Sequence, residues 1–260
     1  MSGLTALVLA GTRPGGDPLA QALGLSHKAL IEIGGTTMLE HVVATLDAVA
    51  EITQIVLVAD GGESSPLVAK LRAQPRRATL AVLPSAAGPS ASVASALAAL
   101  GTPLLVTTAD HALLRSDWVR EFIAAAPAEL DVVVGVASKA AVLAAVPDTQ
   151  RTYLRFADGE FSGCNLFLLQ REAARGVIAL WQRLEAERKH PVRMLRYLGF
   201  GFALRYQLGW LRSTQALARL GALAGARVGF VALRDGRAAI DVDKPSDLEL
   251  VRRLVGETAR

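Results

Sequence analysis

Residues 5–16 read TALVLAGTRPGG. Thr5 to Ala10 is a short apolar run with no polar alternation, the pattern of a strand covered on both faces. The segment after it is rich in Gly and carries one Arg. Such a loop, leaving the end of a strand, can bring backbone N–H groups close to an anion. It fits neither G-x-G-x-x-G nor G-x-x-x-x-G-K-[ST], so a dinucleotide fingerprint and a P-loop are both disfavoured.

The same alternation continues outward. Apolar runs at 54–59, 78–83, 103–108 and 131–136 predict further strands. Helical spacing at 37–49, 66–73, 90–100 and 116–125 separates them, with Ser116 in the capping position of the last. This is the pattern of an α/β fold: three layers around a mostly parallel mixed sheet. Ligands of such sheets sit at the carboxyl ends of the strands, so the loops after residues 10, 59, 83 and 108 are where chemistry is expected. The second half is less regular. Strands are predicted at 152–156, 163–169, 227–233 and 238–242, and helices at 171–188 and 191–211. A closing helix over 246–255 would be capped by Ser246 with Glu249 in a capping box. One domain over 1–260 is the simplest partition, with halves at 1–130 and 131–260.

Composition excludes several classes. The chain has 260 residues, 52% of them hydrophobic and 20% charged, too apolar for global disorder. A single cysteine, Cys164, excludes an intrachain disulfide scaffold and a cysteine-rich zinc site. It fits a cytoplasmic setting, and Leu4–Ala10 lacks the basic flank of a signal peptide. No apolar stretch reaches the ~18 residues of a membrane span. Aromatics make up 5%, few for base-stacking platforms, so nucleic acid is not an expected partner. The net charge of +4 is unevenly placed, because residues 171–219 hold ten Arg or Lys and three Glu. This basic insertion reads as a solvated helix face, or as a surface for phosphorylated small molecules or anionic membrane. Within it, Tyr197–Trp210 is read first as core packing or a homodimer contact, and second as a peripheral membrane segment.

Four segments carry chemistry. The first joins Leu9, Ala10, Gly11, Thr12 and Arg13 to Lys28-Ala-Leu, Ile33-Gly-Gly and Met38-Leu-Glu-His. The second is Pro84–Ser95, where Gly88, Ser90 and Ser92 would let a planar base approach the backbone or would cap a helix. The third is Asp110, a carboxylate ending a buried strand, a costly place unless it is paired or bound to a cation. The fourth is Ile240-Asp-Val-Asp-Lys-Pro-Ser-Asp-Leu248. On a strand, Asp241 and Asp243 would share a face and repel unless a cation lay between them.

Together these segments resemble the nucleotidyltransferases with a glycosyltransferase-A-like fold, a superfamily that includes sugar-1-phosphate nucleotidyltransferases, cytidylyltransferases and MobA-like NTP transferases. The resemblance implies that Gly11, Thr12 and Arg13 wrap a triphosphate and that Lys28 neutralises it. It implies a Mg²⁺ ion held by Asp110 with Asp243, and Asp241 as second choice; Asp247 is read as structural. Arg151, Tyr153, Asn165 and Lys189, with Arg193, would face a phosphorylated acceptor. Three departures stand out: the loop is shorter than the family's by about two residues, His27 replaces a proline, and His111-Ala-Leu after Asp110 lacks the proline of the family's Asp-x-Pro-Leu. Gly15 and Gly16 are expected to replace some lost phosphate contacts. The reaction implied is NMP transfer from a nucleoside triphosphate to a phosphorylated sugar, polyol or alcohol, with CTP one attractive donor. Rival readings are a glycosyltransferase using a nucleotide sugar and a non-catalytic nucleotide-binding module at a membrane surface.

Overall fold

In β1 (Leu4–Leu9) successive side chains enter opposite cores. Ala6 and Val8 pack on one face and Leu7 on the other, and all three are fully buried. β4 (Ile52–Ala59) repeats this, with Ile55 and Leu57 on one face and Val56 and Val58 on the other. A strand buried on both sides needs two covering layers, which is why these runs are continuously apolar. The computed structural model describes residues 3–12, 15–187 and 198–258 and supplies those layers. On one face lie α2 (Met38–Asp47), α3 (Pro66–Arg72), α5 (Ser116–Ala125) and α6 (Lys139–Ala145), through Leu46, Leu67, Phe122 and Val142. On the other lie α4 (Pro89–Leu100) and α7 (Ala174–Ala186), through Val93, Leu97 and Ile178.

The remaining strands of the main sheet are β5 (Thr79–Pro84), β6 (Leu104–Thr108), β7 (Val132–Ser138), β8 (Leu154–Phe156), β9 (Gly159–Leu169) and β10 (Val228–Leu233). Their order is β10-β7-β9-β6-β1-β4-β5, with β8 paired to β9. β9 runs antiparallel to both β6 and β7, whereas β1, β4, β5 and β6 pair in parallel. From β1 the chain steps outward through β4 and β5, then returns to β6 on the other side of β1. That reversal opens a crevice beyond the carboxyl ends of β1 and β6. A short helix, α1 (Pro18–Ala22), and a hairpin of β2 (Glu32–Ile33) with β3 (Thr36–Thr37) precede α2. The hairpin's turn residues Gly34 and Gly35 both have positive φ, 62° and 82°, as a tight hairpin turn requires. Thr37 and Glu40 then form a capping box that starts α2.

Several expectations are corrected. Residues 238–242 form no strand; a 3₁₀ turn covers Gly236–Ala239 and the chain continues irregularly. The closing helix α10 (Pro245–Thr258) begins one residue before Ser246, so Ser246 is not its cap. Asp247 instead accepts from the Asp243 and Lys244 backbone N–H groups, both at 3.2 Å. Arg115, not Ser116, stands at the cap of α5. Helical spacing also missed α1, α6 and α9 (Ser213–Ala224). Of the helix expected over 191–211, α8 (Phe200–Gln207) is present, and 188–197 lie outside the described residues.

Candidate active site

The crevice is a cleft of about 540 Å³. Leu9 at the end of β1 and Ala10 and Gly11 just after it line it, with Ser85 to Pro89 and Ser92 toward one end and Lys28, Asp110 and Asp243 toward the other. Each group has a local reason for its place. Lys28 opens a 3₁₀ turn anchored by buried Ala29 and Ile31, and Ile31 accepts from the Met38 N–H at 3.0 Å. Asp110 follows β6, where Ala109 N–H donates to the Leu9 carbonyl at 2.9 Å. Asp243 is brought over by Val242, whose N–H donates to the Asp110 carbonyl at 3.2 Å.

Lys28 bridges the two carboxylates. Its Nζ lies 2.6 Å from Asp110 Oδ2 and 2.9 Å from Asp243 Oδ1. Burial opposes its charge, but the charge and hydrogen bond of Asp110, then those of Asp243, outweigh burial and raise its pKa above the usual lysine range. The lining holds four carboxylates, Asp17, Asp110, Glu185 and Asp243, and Lys28 is the one cation among its described residues. Such a cleft admits a polyphosphate only with added positive charge.

Two carboxylates and a buried, unpartnered Asp110 Oδ1 fit a hard divalent cation. Among the described residues no three His, Cys, Asp or Glu side chains converge on a point. Asp110 and Asp243 would therefore leave most of the coordination to water and phosphate, as Mg²⁺ favours.

Asp241 is placed differently from the expectation of a shared face. Its Oδ1 accepts from Arg151 Nη1 at 2.6 Å and its Oδ2 from Asn165 Nδ2 at 2.7 Å. Burial would raise its pKa, but the hydrogen bond and charge of Arg151 lower it on balance. Asn165 has φ 48°, the left-handed region, where β9 shifts register against β7. Arg151 and Asn165 are thus brought together through Asp241, which acts as their positioning residue. Arg151 Nε and the Tyr153 hydroxyl are buried and unpartnered, and the two groups lie close enough to interact electrostatically; none of Arg151, Tyr153, Asn165 and Asp241 lines the cleft. Lys189 and Arg193, like Arg13, lie outside the described residues.

At the other end, Ser92 Oγ accepts from the Ala86 N–H at 2.9 Å and closes the 86–92 loop. Ser90 does not line the cleft; its hydroxyl donates to Glu185 Oε2. Gly15 and Gly16 do not line it either, and the Gly15 carbonyl accepts from Gln21 Nε2 at 2.8 Å.

Two residues escaped the sequence reading. Asp60, after β4, accepts from the Thr12 N–H at 2.7 Å, from the Thr12 hydroxyl and from the Ser85 hydroxyl, tying the Gly-rich loop to β5. His27 Nε2 stands 3.9 Å from the same carboxylate. Asp60 lies in a loop flagged by strand order, so position was its available signal. Glu185 comes from α7, and no local pattern marks it. A Cβ on Gly88 would sit 3.0 Å from Glu185 Oε1, so glycine there admits the carboxylate to the cleft.

A hypothetical transferase from Thermus thermophilus superposes with a TM-score of 0.78 at 30% identity, covering 95% of this chain and 99% of that one. The 4-diphosphocytidyl-2C-methyl-D-erythritol synthase of Anaerococcus prevotii shares the fold at 12% identity, TM-score 0.61, with 98% of each chain covered. So does a CMP:2-keto-3-deoxy-manno-octonic acid synthetase, at 16% and 0.59, covering 99% of this chain and all of that one. No curated protein sequence matches. The family model of the MobA-like NTP transferase domain matches residues 6–220, and with the cleft at the β1–β6 reversal this places the chain among the MobA-like nucleotidyltransferases.

Proposed function

We propose that this nucleotidyltransferase moves an NMP group from a nucleoside triphosphate to a phosphorylated small-molecule acceptor and releases pyrophosphate, with Mg²⁺. The observation that carries the reading is Lys28 held between Asp110 and Asp243 in the cleft. With Mg²⁺ bound by Asp110 and Asp243, the ion would neutralise phosphate charge. Lys28, at the same two carboxylates, would donate to the phosphate oxygens. The acceptor phosphate is assigned to Arg151, steadied by Asp241 and Asn165, and to Tyr153; the Arg151 Nε and the Tyr153 hydroxyl are buried without partners outside the cleft lining, so the acceptor must open that side of the site to reach them. An acceptor phosphate oxygen attacks the α-phosphorus. The new O–P bond forms as the bond to the β-phosphate oxygen breaks, and pyrophosphate departs. The ionised acceptor is already a nucleophile, so no general base is needed; positioning and charge neutralisation carry the rate.

Glu185 lines the end of the cleft assigned to the base, with only acceptor oxygens when ionised. It favours an amino donor, such as cytosine N4, at the position where uracil presents its O4 carbonyl. Pyrophosphate release from CTP, GTP, ATP and UTP, with Mg²⁺ and a pool of phosphorylated sugars, polyols and alcohols, tests the reading. Release with an amino-bearing base, lost in Asp110→Ala, supports it. Transfer of a sugar from a nucleotide sugar, with no pyrophosphate released from any triphosphate, refutes it in favour of a glycosyltransferase.

A further inference from the structure

α8 has no buried residue, so core packing, one of the two uses expected first for this segment beside a dimer contact, is not its role. Among the described residues, Tyr206 fastens it on one side. The Tyr206 hydroxyl accepts from the Arg155 N–H at 3.3 Å, and its ring meets Phe156 edge-on at 5.9 Å. Positions 200, 204 and 208 stack along one helix face, and position 206 lies roughly opposite 204. The unfastened face is apolar: Phe200 is 74% exposed, Leu204 46% and Leu208 47%, and Trp210 just beyond is 66% exposed. Four large apolar side chains exposed within residues 200–210 form a patch rather than scattered surface residues.

Charge identifies what covers it. Residues 198–224, which hold α8 and α9, carry Arg205, Arg212 and Arg219 and no Asp or Glu. Exposed Arg205 and Arg219 flank the helix, through Arg205 Nη2 to Gln215 at 3.0 Å and Arg219 Nε to the Leu198 carbonyl at 3.2 Å. A second copy meeting this face across a two-fold axis would oppose like charges, with no acidic residue in the segment to answer them. An anionic lipid surface answers both features, because the apolar stripe enters the interface while the arginines meet headgroups. Among the described residues no helix is long and apolar enough to cross a membrane, so the contact is peripheral. We propose that the α8 face docks this chain on anionic lipid bilayers. The inference is independent of the reaction proposed above.

The full chain is sedimented with vesicles of phosphatidylcholine alone, or with about one third phosphatidylglycerol. Binding to the anionic vesicles, weakened by salt and reduced about tenfold or more in Leu204→Ser/Leu208→Ser, is expected. Near-ultraviolet circular dichroism of the double variant checks its fold. Tryptophan emission supplies a second readout. It should shift to the blue with anionic vesicles in the unaltered chain, and Trp210→Phe should abolish the shift. No binding at low salt, equal binding to neutral vesicles, or a lipid-free dimer dissolved by the same leucine substitutions would overturn the proposal.

Discussion

Replacing Lys28 with Met keeps the length of the side chain and removes its charge. Two oppositely charged groups ~4 Å apart attract by about 4 kcal/mol at an effective dielectric of ~20, before desolvation is counted. Here Nζ sits 2.6 Å and 2.9 Å from two carboxylate oxygens, so both contacts are tight. They are unequal, because Asp110 is 17% exposed and Asp243 56%. The Asp243 contact is therefore largely screened, and Asp110 carries most of the cost. Stranding one member of an enclosed pair costs about 3–5 kcal/mol. With the cleft open to water, about 2–3 kcal/mol is expected here. For a chain of this size that lowers Tm by about 5–10 °C. The two carboxylates, no longer bridged by an ammonium, should then gain from a divalent cation. Thermal unfolding in EDTA and in millimolar MgCl₂ reads both effects: Lys28→Met should gain more from Mg²⁺ than the unaltered chain, and adding Asp243→Asn should diminish that gain. A variant as stable as the unaltered chain in EDTA, or an equal Mg²⁺ gain in both, would refute the reasoning.

Other outcomes follow from the same geometry. The Arg227 N–H and guanidinium hold the Asp131 carboxyl below its usual range. Its stabilisation is thus present above the unfolded value of about 3.9 and lost as pH falls through the folded one. Asp131→Asn should cost about 1–3 kcal/mol in urea unfolding at neutral pH, and the difference should shrink below about pH 4. Burial pushes the Cys164 thiol up to about 12, so a thiol reagent at neutral pH should label it only after denaturation; rapid labelling of the native chain would contradict this. A Cβ on Gly176 would lie 1.9 Å from the Ala224 carbonyl oxygen, so Gly176→Ala must separate α7 from the end of α9, and a thermal melt should record a loss of about 1–3 kcal/mol.

The first half of the fold was legible because its strands are buried on both faces and read as continuous apolar runs, as in Leu7, Val8, Val56 and Leu57. Strand order then located the cleft, and Lys28, Asp110 and Asp243 do meet there although 215 positions separate the first from the last. The 238–242 run misled because Ala238, Ala239, Ile240 and Val242 are buried without pairing to a strand, and apolar content alone cannot tell a buried irregular segment from an extended one. That error put Asp241 and Asp243 on one face, when one serves Arg151 and the other Lys28. Glu185 was invisible because its importance arises from α7 packing beside α4, a tertiary fact with no local signature.

The central claim is that Lys28 and Asp110 exist in this cleft to receive a metal-bound triphosphate. Calorimetric titration of the chain with CTP and with GTP, with and without Mg²⁺, tests it most directly when repeated on Lys28→Ala and Asp110→Asn. Binding of at least one nucleotide that requires Mg²⁺ and falls by about tenfold or more in each variant is the expected result. Nucleotide binding indifferent to Mg²⁺ and to both substitutions, or no binding of either nucleotide, would contradict the account.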